Sequence, residues 1–221
     1  MIYCALDIGN VLVLANFEDF IKKLSKTLNI TIEEANYFMN RTQKLHDLGL
    51  TNMSDELRDH FKIKSPVTIE ELIFHWNQVI LPNTYIMYLL NELSRDHDIK
   101  VALVSNVGLE HAVQMEKTLG FSLFFKEAVK FFSCHVGARK PTLLYYHLFL
   151  ELHPEFKGCV YVDDLAENLE ASKQFGFKTF QFSLEEATKR TSEYDKLIEL
   201  KKILIESDPQ PLKKPRRCLK E

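Results

Sequence analysis

Residues 2–11 read Ile2-Tyr-Cys-Ala-Leu-Asp7-Ile-Gly9-Asn10-Val11. The first five form an apolar run of strand length. The run stops at a carboxylate and a glycine, as a buried parallel strand does when it ends in a polar loop. Asp7 is therefore predicted at the carboxyl end of a strand. Lys100 to Ser105 repeats the pattern and closes on Ser105-Asn106, and Cys159 to Val162 repeats it and closes on Asp163-Asp164. Ala128 to Ser133 and Lys178 to Phe182 supply two further strands, with helical patterns between them. Strands alternating with helices predict an α/β fold, a Rossmann-like doubly wound parallel sheet. In such sheets ligands bind outside the carboxyl ends of the strands, where these polar residues collect.

Between the first strand and the second lies a long stretch of different texture. Phe20, Leu24 and Leu28, then Leu72, Trp76 and Val79, recur at helical spacing, with turn signals at Gly49 and Ser65-Pro66. This predicts a helical cap inserted after the first strand, over residues 17–82, with the Rossmann-like core formed by 1–16 and 83–205. Beyond Pro82 an amphipathic run carries Leu89, Leu90 and Leu93. The final segment, 206–221, carries Pro209, Pro211 and Pro215 with the Lys213, Lys214, Arg216, Arg217 cluster, and reads as a flexible basic tail.

Composition narrows the class of partner. The chain has 221 residues, 46% hydrophobic and 27% charged, which is enough to bury a substantial core. Its 28 basic and 31 acidic residues leave a formal charge of -3, so no overall field draws in nucleic acid, and an anionic ligand needs a local site. The basic tail lacks the interleaved aromatic residues that stack bases and reads as solvated. No apolar run approaches the ~20 residues that cross a bilayer. The four cysteines, Cys4, Cys134, Cys159 and Cys218, form neither a C-x-x-C pair nor a zinc-like cluster and read as reduced thiols. With no export signal legible at the N-terminus, the expectation is a cytoplasmic protein with neither membrane nor nucleic acid as partner.

Four clusters are thus expected along one sheet edge: Asp7 to Val11, Ser105-Asn106, Lys140-Pro141, and Asp163-Asp164 with Asn168 four residues on. Phosphoryl transfer calls for this set of groups. A carboxylate nucleophile splits hydrolysis into two easier steps, a divalent ion neutralises charge gathering at phosphorus, and hydroxyl, amide and lysine donors hold the phosphate oxygens. Taken singly, Asp7 could merely begin a turn, Ser105 could cap a helix and Lys140 could be a surface lysine. Four such clusters in order at strand ends form a much more specific signal.

In that order the clusters resemble the four signature motifs of the haloacid dehalogenase-like hydrolases, over about residues 1–182. The nearest likeness is to a phosphatase subgroup, some of whose members act on sugar phosphates, with first motif Asp-x-Gly-Asn-Val, third Gly-x-Arg-Lys-Pro, and fourth Val-Asp-Asp followed by Asn. Here these stand as Asp7 to Val11, Gly137 to Pro141 and Val162 to Asn168. The resemblance implies an Mg2+-dependent phosphohydrolase acting on a small phosphorylated metabolite through a phospho-aspartate on Asp7. It implies metal ligation by Asp7, the Gly9 carbonyl and Asp164. Phosphate binding falls to Ser105, the Asn106 backbone N–H and Lys140, with Asp163 and Asn168 in support.

The sequence departs from the common pattern at Gly9. Most phosphatases of that superfamily carry there a second Asp, which protonates the leaving oxygen, and glycine has no side chain to do so. Three readings stay open. The substrate could have a good leaving group, as in a sugar 1-phosphate or an acyl phosphate. A cap residue, with His46, Asp47 and Arg41 as candidates, could supply the proton. Or catalysis is weak or lost, and the chain binds a phosphorylated ligand or a protein partner. A 2-haloacid dehalogenase uses the same Asp on carbon, but the Asp163-Asp164 pair argues against that reading. Carboxylates crowded beside the nucleophile call for a cation that halide displacement does not use. In the cap, Tyr37, His46, Trp76 and Asn77 are candidates to face the cleft, with Trp76 read as core.

Overall fold

The computed structural model describes residues 1–82, 86, 88–90, 97–118, 127–183 and 190–207. Leu93 and the basic tail, with Cys218, lie outside the described residues. Five parallel strands form the central sheet: β1 (Ile2–Leu6), β4 (Ile99–Ser105), β5 (Val129–Phe132), β6 (Val160–Asp163) and β7 (Lys178–Gln181), in the order β5-β4-β1-β6-β7. β1 is central, paired with β4 from Ile2↔Ile99 to Leu6↔Leu103 and with β6 from Cys4↔Val160 to Leu6↔Val162.

Side chains alternate across the sheet with the period of two that a pleated strand imposes. Cys4, Leu6, Leu103, Val160 and Val162 enter one apolar cluster, while Ala5, Ala102, Val104 and Tyr161 enter the other. The first face is covered by Ala112 and Met115 of α5 (Leu109–Thr118) and by Leu197, Leu200 and Leu204 of the last described helix, α9 (Arg190–Glu206). The second is covered by Tyr145, Tyr146 and Phe149 of α7 (Leu143–Leu152) and by Leu169 and Ala171 of α8 (Ala166–Lys173). Burial on both faces explains why the strands read as continuous apolar runs. A one-turn helix, α6 (Ser133–Val136), follows β5.

The insert forms four helices, α1 (Phe17–Leu28), α2 (Ile32–Asp47), α3 (Met53–Phe61) and α4 (Pro66–Asn77), and each begins at a side-chain cap. Asn16, Asn52 and Ser65 accept hydrogen bonds from the amides of Asp19, Asp55 and Thr68, and Thr31 forms a reciprocal capping box with Glu34. Each such cap is worth about 1 kcal/mol. Ser65-Pro66, a turn signal in the sequence, is a cap followed by proline at the first helical position, where the missing N–H costs nothing. The helices enclose their own core of Phe20, Leu24, Phe38, Leu57, Leu72 and Trp76. Each such side chain contributes about 1.5–3 kcal/mol on burial.

One element is absent from the sequence reading. β2 (Val13–Ala15) and β3 (Ile80–Pro82) pair antiparallel at the two ends of the insert and form the stem that carries it. Three-residue strands are too short to show a period. No described helix is long and apolar enough to cross a membrane, and the three described cysteines are free.

Candidate active site

The residues that follow β1, β4 and β6 meet at the carboxyl edge of the sheet. Asp7 is held there because its N–H extends the β1–β6 ladder to the Val162 carbonyl at 2.8 Å. Its Oδ1 accepts the Ile8 N–H at 2.6 Å and lies 3.0 Å from Lys140 Nζ. Burial pushes the Asp7 carboxyl up to about 7. Lys140 works against that rise, Asp163 and Asp164 add to it, and a hydrogen bond with Ser105 again lowers it. Asp7, Asp163 and Asp164 each bring a carboxylate oxygen within 4.8 Å of the others.

Asp163 has little capacity left for a ligand. Its Oδ1 accepts from the Leu165 amide at 3.0 Å and Asn168 Nδ2 at 2.9 Å, and its Oδ2 accepts from Lys140 Nζ at 2.6 Å and the Tyr161 hydroxyl at 2.9 Å. It is an anchor for Lys140 and Asn168. Asn168 Oδ1 is buried without a partner among the described residues, and Asn168 lines the cavity. Asp164 is more open, taking one side-chain hydrogen bond from Asn10 Nδ2 at 3.1 Å, and burial raises its carboxyl.

Lys140 is 1% exposed. Burial alone would pull its ammonium down, but Asp163 and Asp7 outweigh that and hold it above the usual lysine range. Its backbone is clamped by the Asn106 amide, whose Oδ1 accepts the Lys140 N–H at 2.8 Å while Nδ2 donates to the Lys140 carbonyl at 3.0 Å. The Asn106 side chain is therefore spent on positioning Lys140. Once ionised, the three carboxylates against one ammonium would leave an excess of two negative charges around oxygen donors. That donor set suits a hard divalent cation, so the residues present fit Mg2+.

Asp7, Lys140 and Asp164 line a cavity of about 180 Å³ with Gly9, Ser105, Asn106 and, from the insert, His46, Asp47 and Trp76. The volume lies well below the roughly 300–1,000 Å³ typical of drug-sized ligand sites. Trp76 is both 1% exposed core and cavity wall. Asp47 is buried and paired with Arg139 Nη2 at 3.0 Å, its carboxyl raised by burial against the opposing pull of Arg139 and His46. Three expectations for the insert fail. Arg41 points outward, near His60 Nδ1 at 3.2 Å and Glu56 at 3.8 Å, Tyr37 is 66% exposed, and Asn77 is not part of the cavity wall. Helical spacing places a residue on a face but does not say which face meets the core domain.

Several wall residues were not foreseen as site residues, among them the polar Asn10, Gln43, His111 and Arg139. Asn10 and Arg139 stand inside the quoted motifs, so the motif was the available signal, whereas His111 has no local sequence signature. His111 stacks on Trp76 with ring centroids 4.2 Å apart and contacts the Trp76 carbonyl through Nε2 at 3.2 Å, and burial with the neighbouring His46 lowers it to about 4.

The insert is closed on the core by a short polar seam. Glu110 Oε2 binds both His46 Nε2 at 3.1 Å and the Met53 N–H at 2.8 Å, and Ser133 Oγ donates to the Asp47 carbonyl at 2.5 Å. Gly108 allows this closeness, since a Cβ there would lie 2.0 Å from His46 Cε1. The ring is walled by Trp76 and His111 and cannot retreat. Gly108→Ala is therefore expected to destabilise the protein by about 1–3 kcal/mol, as overpacking does. Gly9→Ala, with nothing within 4 Å of the new Cβ, should leave the denaturant midpoint almost unchanged. Equal midpoints for the two variants would contradict this packing.

Comparison with known proteins places the fold. A HAD family enzyme from Bacteroides thetaiotaomicron superposes with a TM-score of 0.66 at 19% identity, over 87% of this chain and 98% of that one. The same enzyme in complex with magnesium and inorganic phosphate gives 0.64 at 19% identity, over 86% and 98%. The chain has the haloacid dehalogenase-like (HAD) fold. A predicted HAD-like family hydrolase from Porphyromonas gingivalis gives 0.64 at 17% identity, over 88% and 97%. An L-2-haloacid dehalogenase from Xanthobacter autotrophicus gives 0.55 at 14% identity, over 82% and 77%. The chain matches no protein-family model and no curated protein sequence. Within the HAD fold, the four clusters converge on one cavity at the carboxyl ends of β1, β4 and β6, with the helical insert forming its opposite wall.

Proposed function

We propose that this chain is a HAD-fold hydrolase, an Mg2+-dependent phosphatase of a small phosphorylated metabolite such as a sugar phosphate. The observation that carries the reading is the Asp7, Asp163, Asp164 cluster with a single buried ammonium, Lys140, at its centre. When all three carboxylates are ionised the cluster carries two surplus negative charges, and without a cation it is relieved by keeping a proton, so a divalent ion is what lets Asp7 stand ionised as a nucleophile. The similar enzyme crystallised with magnesium and inorganic phosphate supports the choice of cation and of substrate class.

In this reading Asp7 attacks phosphorus and carries the phosphoryl group, which water then removes. Lys140 bridges Asp7 and Asp163, fixes the attacking carboxylate and offsets charge that builds on the phosphoryl oxygens. Ser105 and the Asn106 N–H hold a phosphate oxygen, and Asn106 secures the Lys140 backbone at the same time. Asp7, the Gly9 carbonyl and Asp164 would hold Mg2+, which supplies electrostatic relief at the phosphoryl group. Asn10 ties Asp164 to the loop after β1 and keeps the two ends together. The insert closes the site from water and limits the leaving group by volume.

The test is phosphate release from a panel of sugar phosphates, acyl phosphates and p-nitrophenyl phosphate, with and without Mg2+. Release that requires both Mg2+ and Asp7 is expected. A protein that binds Mg2+ yet releases phosphate from none of them would instead point to a binding role.

A further inference from the structure

Gly9 leaves the site without a side chain to protonate the leaving oxygen, and the space where a Cβ would stand has nothing within 4 Å. A replacement must come from another titratable group on the cavity wall. Most of the described ones are already committed. Asp47 is paired with Arg139 at 3.0 Å, Lys140 with Asp7 and Asp163, and Asp164 belongs to the carboxylate cluster. His111 is held low by burial and engages the Trp76 carbonyl. His46 remains.

We infer that His46, oriented by Glu110, donates the proton to the leaving oxygen in place of the missing acid at Gly9; this rests on the phosphatase reading above. The ring is 1% exposed, forms part of the cavity wall, and has Nε2 3.1 Å from Glu110 Oε2. Glu110 is itself fixed by the Met53 N–H, so the carboxylate holds the imidazole as the third member of a catalytic triad holds its histidine. The ring lies against Gly108, two residues beyond Asn106 in the segment after β4, and shares the cavity wall with Ser105 and Asn106, so it approaches the proposed phosphate-binding residues from the insert side. The titratable groups around it are Glu110 and the neutral His111 on α5, Asp47 on α2, and Arg139 beyond Asp47. Burying an imidazole between Trp76 and His111 and pairing it with a partly exposed carboxylate is costly for a purely structural contact.

The steps balance. Asp7 forms the P–O bond as the bond to the leaving oxygen breaks, and that oxygen takes a proton from the His46 imidazolium. Water then attacks phosphorus, neutral His46 takes its proton, and the P–O bond to Asp7 breaks, which restores both groups and releases phosphate.

The experiment compares an alkyl phosphate, glycerol 2-phosphate, with p-nitrophenyl phosphate, whose leaving group needs no proton, in the Mg2+-loaded full chain. His46→Gln is expected to lower kcat for the alkyl ester about a hundredfold, in the range of general-acid catalysis, and for the aryl ester far less. Glu110→Gln should show the same split more weakly, and it carries the test if His46→Gln does not fold. Adding Gly9→Asp to His46→Gln should restore alkyl turnover. Equal losses on both esters, or no loss on either, would overturn the role of His46 while leaving the phosphatase reading intact. Absence of Mg2+- and Asp7-dependent release by the unsubstituted protein would overturn both.

Discussion

Asp7→Asn is expected to remove phosphate release, by on the order of 10⁴-fold or more as for other nucleophile deletions, and to make the metal-free protein more stable at pH 7. The second effect follows from burial. The Asp7 carboxyl is raised from 3.8 to about 7 in the folded chain, so between those values the native state keeps a proton that the unfolded state gives up. Stability must then fall as pH rises through that window, at ~1.4 kcal/mol for each unit of separation. The penalty is absent below pH 4 and complete above pH 7. Asparagine escapes it and can still turn an oxygen toward Lys140, whose other partner, Asp163, is untouched. Thermal melts in EDTA at pH 5 and pH 7 check this. The variant should gain several degrees at pH 7 and less than half as much at pH 5, and Mg2+ should raise the melting temperature of the unsubstituted protein more than that of the variant. A variant that melts lower at pH 7 would show that Asp7 is a net structural asset.

Lys140→Met is expected to be the most damaging single change to the fold at this site. The ammonium is 1% exposed and serves Asp7 at 3.0 Å and Asp163 at 2.6 Å, so methionine keeps the packing but leaves buried carboxylates without their cation. Losing one partner of a buried pair costs about 3–5 kcal/mol, or roughly 10 °C in a chain of this size. The charge of Lys140 is present at every working pH, because its folded value lies above the ordinary lysine value. The pH dependence of the loss therefore comes from the carboxylates, and the deficit should shrink at pH 5, where Asp7 carries its proton. Activity should fall together with stability, and Mg2+ should recover part of the stability. A variant as stable as the parent at pH 7 would mean that Asp163 is adequately held by Tyr161, Asn168 and the Leu165 amide alone.

Both expectations concern a site at which stability opposes function. Three carboxylates are gathered at one sheet edge, burial and the neighbouring carboxylates raise Asp7 and Asp164, Lys140 ties Asp7 to Asp163, and the apolar strands beneath supply the rigidity that keeps them together. The seam from Glu110 and Ser133 to the insert extends that rigidity across the cavity, so the wall bearing His46 and Asp47 is set by contacts with the core.

The strand runs, the order of the polar clusters and the helical texture of residues 17–82 were all legible in the linear chain, because each is a local pattern. A strand buried on both faces is apolar throughout, it ends where polarity returns, and a helix repeats every three to four residues. Asp7, Ser105, Asp163 and Asp164 were singled out for the same reason, as polar residues where apolar runs end, whereas Lys140 lies beyond the helix after β5 and was singled out by the Gly-x-Arg-Lys-Pro pattern. Local pattern does not carry the partners of a side chain that lie tens of residues away. The spending of the Asn106 amide on Lys140 and the saturation of Asp163 by four donors depend on how the strands and loops of the core meet, and the turning of His46 and Asp47 inward while Arg41 turns out depends on how the insert docks on the core. So does the pairing of β2 with β3, whose short strands are stable only because the insert brings its own ends together. Docking is governed by complementary surfaces of elements far apart in sequence, such as Gly108 beneath the His46 ring, and those surfaces exist only once the chain has folded.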